Sequence, residues 1–158
     1  MGFRRKGREY ALQLLFGCDL TGAGHPTKGR PFGDLPAFWA ERRAAPEVQA
    51  FAEALVRGVA LHGHDIDAVI SRHAKNWAMA RMAAVDRNVL RIAVYELLYA
   101  PEIPERVVLN EAIEIAKKYG SVDSGAFVNG ILDDIVKHEP GVMAQREAER
   151  VDAGHGRR

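Results

Sequence analysis

The sequence is poor in cysteine and aromatic residues, carries almost no net charge and contains no long apolar run. Its one cysteine, Cys18, excludes an intramolecular disulfide and any zinc site built on several thiolates. No apolar segment approaches the roughly 20 residues of a membrane-spanning helix. Residues 3–18 begin basic and turn apolar, as a signal peptide does. Glu9, Gln13 and Asp19 break that pattern, so a cytoplasmic location is expected. Enzyme signatures are missing as well: there is no Gly-x-Ser-x-Gly elbow, no Walker loop and no His-Glu-x-x-His pair. Gly22-Ala23-Gly24 is a fragment of a dinucleotide fingerprint, but Pro26 follows it and no strand precedes it. His62, His64 and Asp65 are the best metal candidates. The two histidines are two residues apart and point to different sides of a helix, which favours a solvated or capping role. No catalytic residue, metal or cofactor is expected.

What is present is apolar periodicity at helical spacing. A chain of 158 residues, 47% hydrophobic and 27% charged, suits one domain that buries roughly 70% of its unfolded surface. Helices are predicted over 3–20, 35–44 with Trp39 as anchor, and 46–61 with Pro46 in its first turn. A fourth runs from Asp65 or Asp67 to about Trp77. Residues 86–99 are the most apolar, so that helix, capped by Asp86, is expected at the centre. Tyr95 and Glu96 are anomalous there and are expected to bond neighbouring backbone. Two more helices cover 105–119 and the stretch from Asp123 or Ser124 to Pro140. No segment alternates with period two. The expected fold is all-α, about seven helices in two small bundles sharing the central helix. The domain is placed at 1–140, with a Gly/Pro-rich loop at 21–36 and a polar, disordered tail at 141–158.

Charge is sorted along the chain. Residues 1–30 carry six cations against two anions, whereas 85–140 carry six against ten. Arg4, Arg5, Lys6 and Arg8 crowd the start of the first helix, where cations oppose the helix dipole by roughly 0.3–1 kcal/mol each. Local stability does not explain them. A solubilising terminus does, and so does a polyanionic ligand such as nucleic acid. Phe127, behind Ser124-Gly125-Ala126 near a helix start, is either a core residue or a stacking platform for single-stranded RNA. Cys18 lies on the apolar stripe and reads as a small buried hydrophobe.

Three blocks go further. The segment from Arg4 to Phe16, the run Val85-Asp86-Arg87-Asn88-Val89-Leu90-Arg91-Ile92-Ala93-Val94-Tyr95-Glu96-Leu97, and the residues from Val108 to Lys117 with Asp123-Ser124 and Phe127–Asp133 together resemble the NusB transcription antitermination family. The resemblance covers about half the chain. It implies an all-helical, non-enzymatic factor that binds boxA-type single-stranded RNA with the ribosomal protein NusE. Such a factor works within the RNA polymerase antitermination complex and supports transcription of ribosomal RNA operons. By motif match it places Arg4, Arg5, Lys6, Arg8, Asp123 and Phe127 on the RNA side and Asp86 on the NusE side. The acidic C-terminal half independently suits a basic ribosomal partner. Ala126 stands where some relatives carry a basic residue. The 21–36 loop and the 141–158 tail have no counterpart in the resemblance, which leaves a homodimer open. Two other readings share the fold: the N-terminal domain of an RNA methyltransferase, which requires a catalytic domain beyond residue 140, and a ribosome-assembly partner with no direct RNA role.

Overall fold

The computed structural model describes residues 2–20 and 33–155, and every regular element among them is helical. Eight α-helices follow in order: α1 (Phe3–Leu20), α2 (Leu35–Ala40), α3 (Pro46–Leu61), α4 (Gly63–His73), α5 (Ala84–Tyr99), α6 (Glu105–Tyr119), α7 (Ser124–His138) and α8 (Pro140–His155). A short 3-10 turn, Met79–Arg81, lies between α4 and α5. The expected loop at 21–36 falls largely outside the described residues. Of its end, Gly33 takes a positive φ of 87°, a conformation that costs glycine nothing. Asp34 then caps α2, accepting a hydrogen bond from the Ala37 amide at 3.1 Å.

The central position of α5 follows from its composition. Leu90, Val94 and Leu97 are fully buried, each stabilising the fold by about 1.5–3 kcal/mol relative to exposure. The helix touches α1, α3, α4, α6, α7 and α8. On one side α1 pairs with α3; on the other α6 pairs with α7. This is the expected pair of small bundles around one helix. Gly7 lets α1 approach α3, because any Cβ there would collide with the Phe51 ring.

Boundaries differ from the periodicity in five places. α2 stops at Ala40 rather than 44. α4 starts at Gly63, with Asp65 in its first turn and Asp67 inside it rather than at the cap, and it stops at His73, leaving Trp77 in the connector. α5 starts at Ala84, so Asp86 sits in its first turn instead of capping it; the cap position is Ala83. The fifth difference is the tail. Residues 140–155 form a helix rather than a disordered segment, and Val142 and Arg146 are buried. Arg146 supplies the reason. Its guanidinium donates to the carbonyls of Glu96 (3.2 Å), Leu97 (3.3 Å) and Ile103 (2.5 Å). The first two belong to the last turn of α5, where carbonyls run short of helical donors; that of Glu96 also accepts from the Ala100 amide at 3.0 Å. One side chain from α8 therefore caps the central helix. A polar tail without a long apolar stripe gave no warning of this, since the anchor is an arginine.

Replacing Arg146 by Met keeps much of the apolar contact but leaves those buried carbonyls short of donors. Urea unfolding should show a loss of about 1–3 kcal/mol, against less than about 0.5 kcal/mol for the exposed change Glu147→Ala. Equal stability of the two variants would mean that α8 is not docked.

Candidate nucleic-acid interface

The four cations of α1 do not share one environment. Arg8 is 3% exposed, and its Nε and Nη2 each donate to one Glu96 carboxylate oxygen at 2.8 Å. A bidentate pair closed inside the protein cannot turn outward, because unpairing one buried charge costs about 3–5 kcal/mol. This corrects the reading of Arg8 as a phosphate contact, and of Glu96 as a backbone-bonding residue. Arg5 donates to both oxygens of Glu111 at 2.8 and 2.7 Å while a third of its side chain stays exposed. Glu111 also lies 4.0 Å from Arg8 Nη1. Arg4 and Lys6 face solvent. The outward cationic edge of α1 is thus Arg4, Lys6 and the open side of Arg5.

Two further elements join that edge. Glu9, buried beneath it, accepts a hydrogen bond from Lys118 Nζ at 3.0 Å and lies 3.9 Å from Lys6 Nζ. This draws the last turn of α6, with exposed Lys117 and Lys118, against the first turns of α1. Lys117 in turn packs its aliphatic chain over Gly125 in the first turn of α7. In sequence, Lys117 and Lys118 offer only two cations in the last turn of α6, where the negative helix end favours them. Their place beside α1, about 110 residues earlier in the chain, has no local signal.

At the start of α7, Asp123 is exposed and makes no cap bond; the Ser124 hydroxyl accepts one from the Ser121 amide at 2.9 Å instead. Phe127 is half-buried. Its ring meets that of Trp77 edge-on, with centroids 5.8 Å apart and planes at 90°. The periodicity puts Trp77 at the end of α4; the structure leaves it in the connector, against Phe127. The structure thus sets Lys117 and Lys118 beside Arg4, Arg5 and Lys6, keeps Asp123 and Phe127 at the start of α7 where Lys117 packs on Gly125, and turns Arg8 inward.

Asp86 lies elsewhere. It stands ten residues from Glu96 on α5, about 15 Å along the helix, at the end where α5 meets the close of α1. There Asp19 receives Arg87 at 3.1 Å and Asn88 at 2.6 Å, and Arg91 also donates to Asp67 at 3.0 Å. Asp86 is 8% exposed, and its Oδ1 has no hydrogen-bond partner among the described residues. Such an acceptor is costly unless something outside the chain satisfies it. His62 stacks on Tyr99 with centroids 3.8 Å apart, and among the described residues no three metal-ligating side chains converge. Cys18 is buried, and burial pushes its thiol up from the ordinary value.

Hydrogen bonds from Arg5 hold the Glu111 carboxyl below its ordinary value of 4.5; burial opposes this, and the charges of Arg5 and Arg8 support it. A carboxyl depressed in the folded state contributes stability that is present above its unfolded value and is lost as pH falls through the folded one. Thermal melts from about pH 6 down to about pH 3 should therefore show a shallower acid loss for Glu111→Gln than for the unsubstituted protein. Asp134 and Glu139 are depressed too, Asp134 chiefly by a hydrogen bond from His73 and Glu139 by bonds from Arg72 and His73 that outweigh burial. Some acid dependence should therefore remain. Identical pH profiles would remove the Arg5–Glu111 contact from the account.

Comparison with known proteins places this geometry. The family model described as "NusB family" matches residues 5–137. The chain is 49% identical over 140 residues to the transcription antitermination protein NusB of Geobacter sulfurreducens, covering 89% of this chain and 98% of that protein. It is 46% identical over 138 residues to the NusB of Sorangium cellulosum, covering 87% and 94%. Among solved structures it is similar to T. maritima NusB, with 38% identity, a TM-score of 0.73 and coverage of 91% and 96%. It is also similar to a chain in a crystal structure of the antitermination factors NusB and NusE with double-stranded RNA, with 29% identity, a TM-score of 0.73 and coverage of 87% and 98%. With the family model spanning most of the chain and relatives of nearly half identity covered almost end to end, this chain belongs to the NusB family.

Proposed function

We propose that this protein is a transcription antitermination factor that binds boxA-type single-stranded RNA together with NusE and supports transcription of ribosomal RNA operons. The observation that carries the reading is the set of outward cations Arg4, Arg5, Lys6, Lys117 and Lys118 on α1 and α6, with Lys117 packed on the first turn of α7, the turn that also holds the half-buried Phe127. Cations neutralise phosphates, and the ring offers a surface for an unstacked base. Asp123, exposed beside them, can accept from a base amino group. Asp86 serves the other partner: its Oδ1 at the start of α5, without a hydrogen-bond partner among the described residues, would accept from a donor of a basic ribosomal protein. The role is one of binding, without catalysis, in the cytoplasm. No helix among the described residues is long and apolar enough to cross a membrane. The exposed aromatics favour a single strand over a duplex, since paired bases cannot stack on a side chain.

Fluorescence anisotropy with a boxA-like single strand, its scrambled version and the corresponding duplex, with and without NusE, tests this reading. Five phosphate contacts, from Arg4, Arg5, Lys6, Lys117 and Lys118, predict a log–log salt slope of about −3.5, at about 0.7 per contact. The double change Arg4→Ala/Lys6→Ala should flatten it to about −2. Asp86→Lys should weaken NusE binding at least about tenfold, since it replaces an acceptor by a charge of the wrong sign. Weak, equal binding to all three RNAs with NusE present would contradict the proposal.

A further inference from the structure

Trp77 is a large apolar side chain that the fold does not use. It is 54% exposed, yet its position is set: its amide donates to the Ala74 carbonyl at 3.0 Å, closing the turn that follows α4. The Phe127 ring stands at right angles to it. The two rings border an open groove of about 420 Å³ with Lys75 and Asn76 on one rim and Ala126 and Gly130 along α7. Small residues keep that space open, and a Cβ at Gly130 would have no atom within 4 Å.

Charge and continuity indicate what enters. Asp134, the acidic group of the groove, is occupied by His73 at 2.5 Å, and exposed Lys75 stands close by. Lys117 packs over Gly125 in the first turn of α7, the helix that lines this groove, and its neighbour Lys118 bonds Glu9 of α1. A strand led along α6 from the basic turn of α1 to α7 would have cations for its phosphates on the way to the two rings.

We propose that the Trp77 indole and the Phe127 ring receive one unstacked nucleobase of the bound RNA strand, so that Trp77 is a binding residue for single-stranded RNA. The inference rests on the RNA-binding reading above. A base stacked on the indole would have its edge within reach of the Asn76 amide and its backbone phosphate near Lys75. The indole adds affinity by stacking and neutralises no phosphate, which separates it from the α1 cations in its salt dependence.

The test uses the full chain with NusE and a boxA-like single-stranded RNA, alongside RNAs with an abasic residue at each position in turn. Trp77→Ala should weaken binding roughly 5- to 150-fold with an unchanged salt slope, while Trp77→Phe should retain most of the affinity. One abasic position should cost the unsubstituted protein a similar factor and cost Trp77→Ala nothing more. Thermal melts of both variants control for folding. If the unsubstituted protein binds and Trp77→Ala matches it, the stacking proposal fails and the RNA reading stands. If the unsubstituted protein does not bind this RNA, both fail. If Trp77→Ala lowers NusE affinity and leaves RNA affinity unchanged, the groove is a protein contact and the proposal is overturned.

Discussion

A bidentate ion pair between Arg8 and Glu96, closed inside the protein, ties the first helix to the central one. Neither residue suits its surroundings alone: a glutamate in the most apolar helix and an arginine against a helix dipole are each unfavourable. Together they satisfy one another. Glu111 extends the contact by reaching Arg5 as well as Arg8, and Glu9 extends it again to Lys118. The basic turn is therefore held by carboxylates on its inner side while Arg4 and Lys6 remain outside. Arg5–Glu111 and Lys118–Glu9 hold α6 against the basic turn of α1, and α7 packs on α6.

Much of the fold was legible from periodicity. α1, α3 and α6 run over the residues that their apolar stripes predict, and the wrapping of α5 by apolar residues correctly marks it as central. The errors share a cause. α8 is anchored by Arg146 on three carbonyls, an interaction that hydrophobic spacing does not report. The division of labour within Arg4-Arg5-Lys6-Gly7-Arg8 was equally invisible, since the partners Glu96 and Glu111 lie about 90 and 100 residues away. One clue did exist: an unexplained acid in the central helix and an unexplained cation cluster in the first are complementary anomalies.

The Arg8–Glu96 pair and Asp86 occupy opposite ends of the α1–α5 contact. Asp86 lies where Asp19 gathers Arg87 and Asn88, whereas Arg8 closes on Glu96 ten residues further along. On the proposed assignment of the basic turn to RNA and of Asp86 to NusE, the two partners would draw on different side chains about 15 Å apart along α5.

Arg8, closed on Glu96 inside the protein, is expected to hold α1 on α5 without touching RNA. The direct measurement is a comparison of stability and RNA affinity in Arg8→Met/Glu96→Leu, which replaces the buried pair by apolar residues of similar size. Unfolding should show stability near that of the unsubstituted protein, whereas Arg8→Ala alone should lose about 3–5 kcal/mol. RNA affinity of the folded double variant should stay within about threefold, with the salt slope unchanged. A tenfold or greater loss of affinity in that folded variant, with a flatter slope, would make Arg8 a phosphate contact and contradict the account.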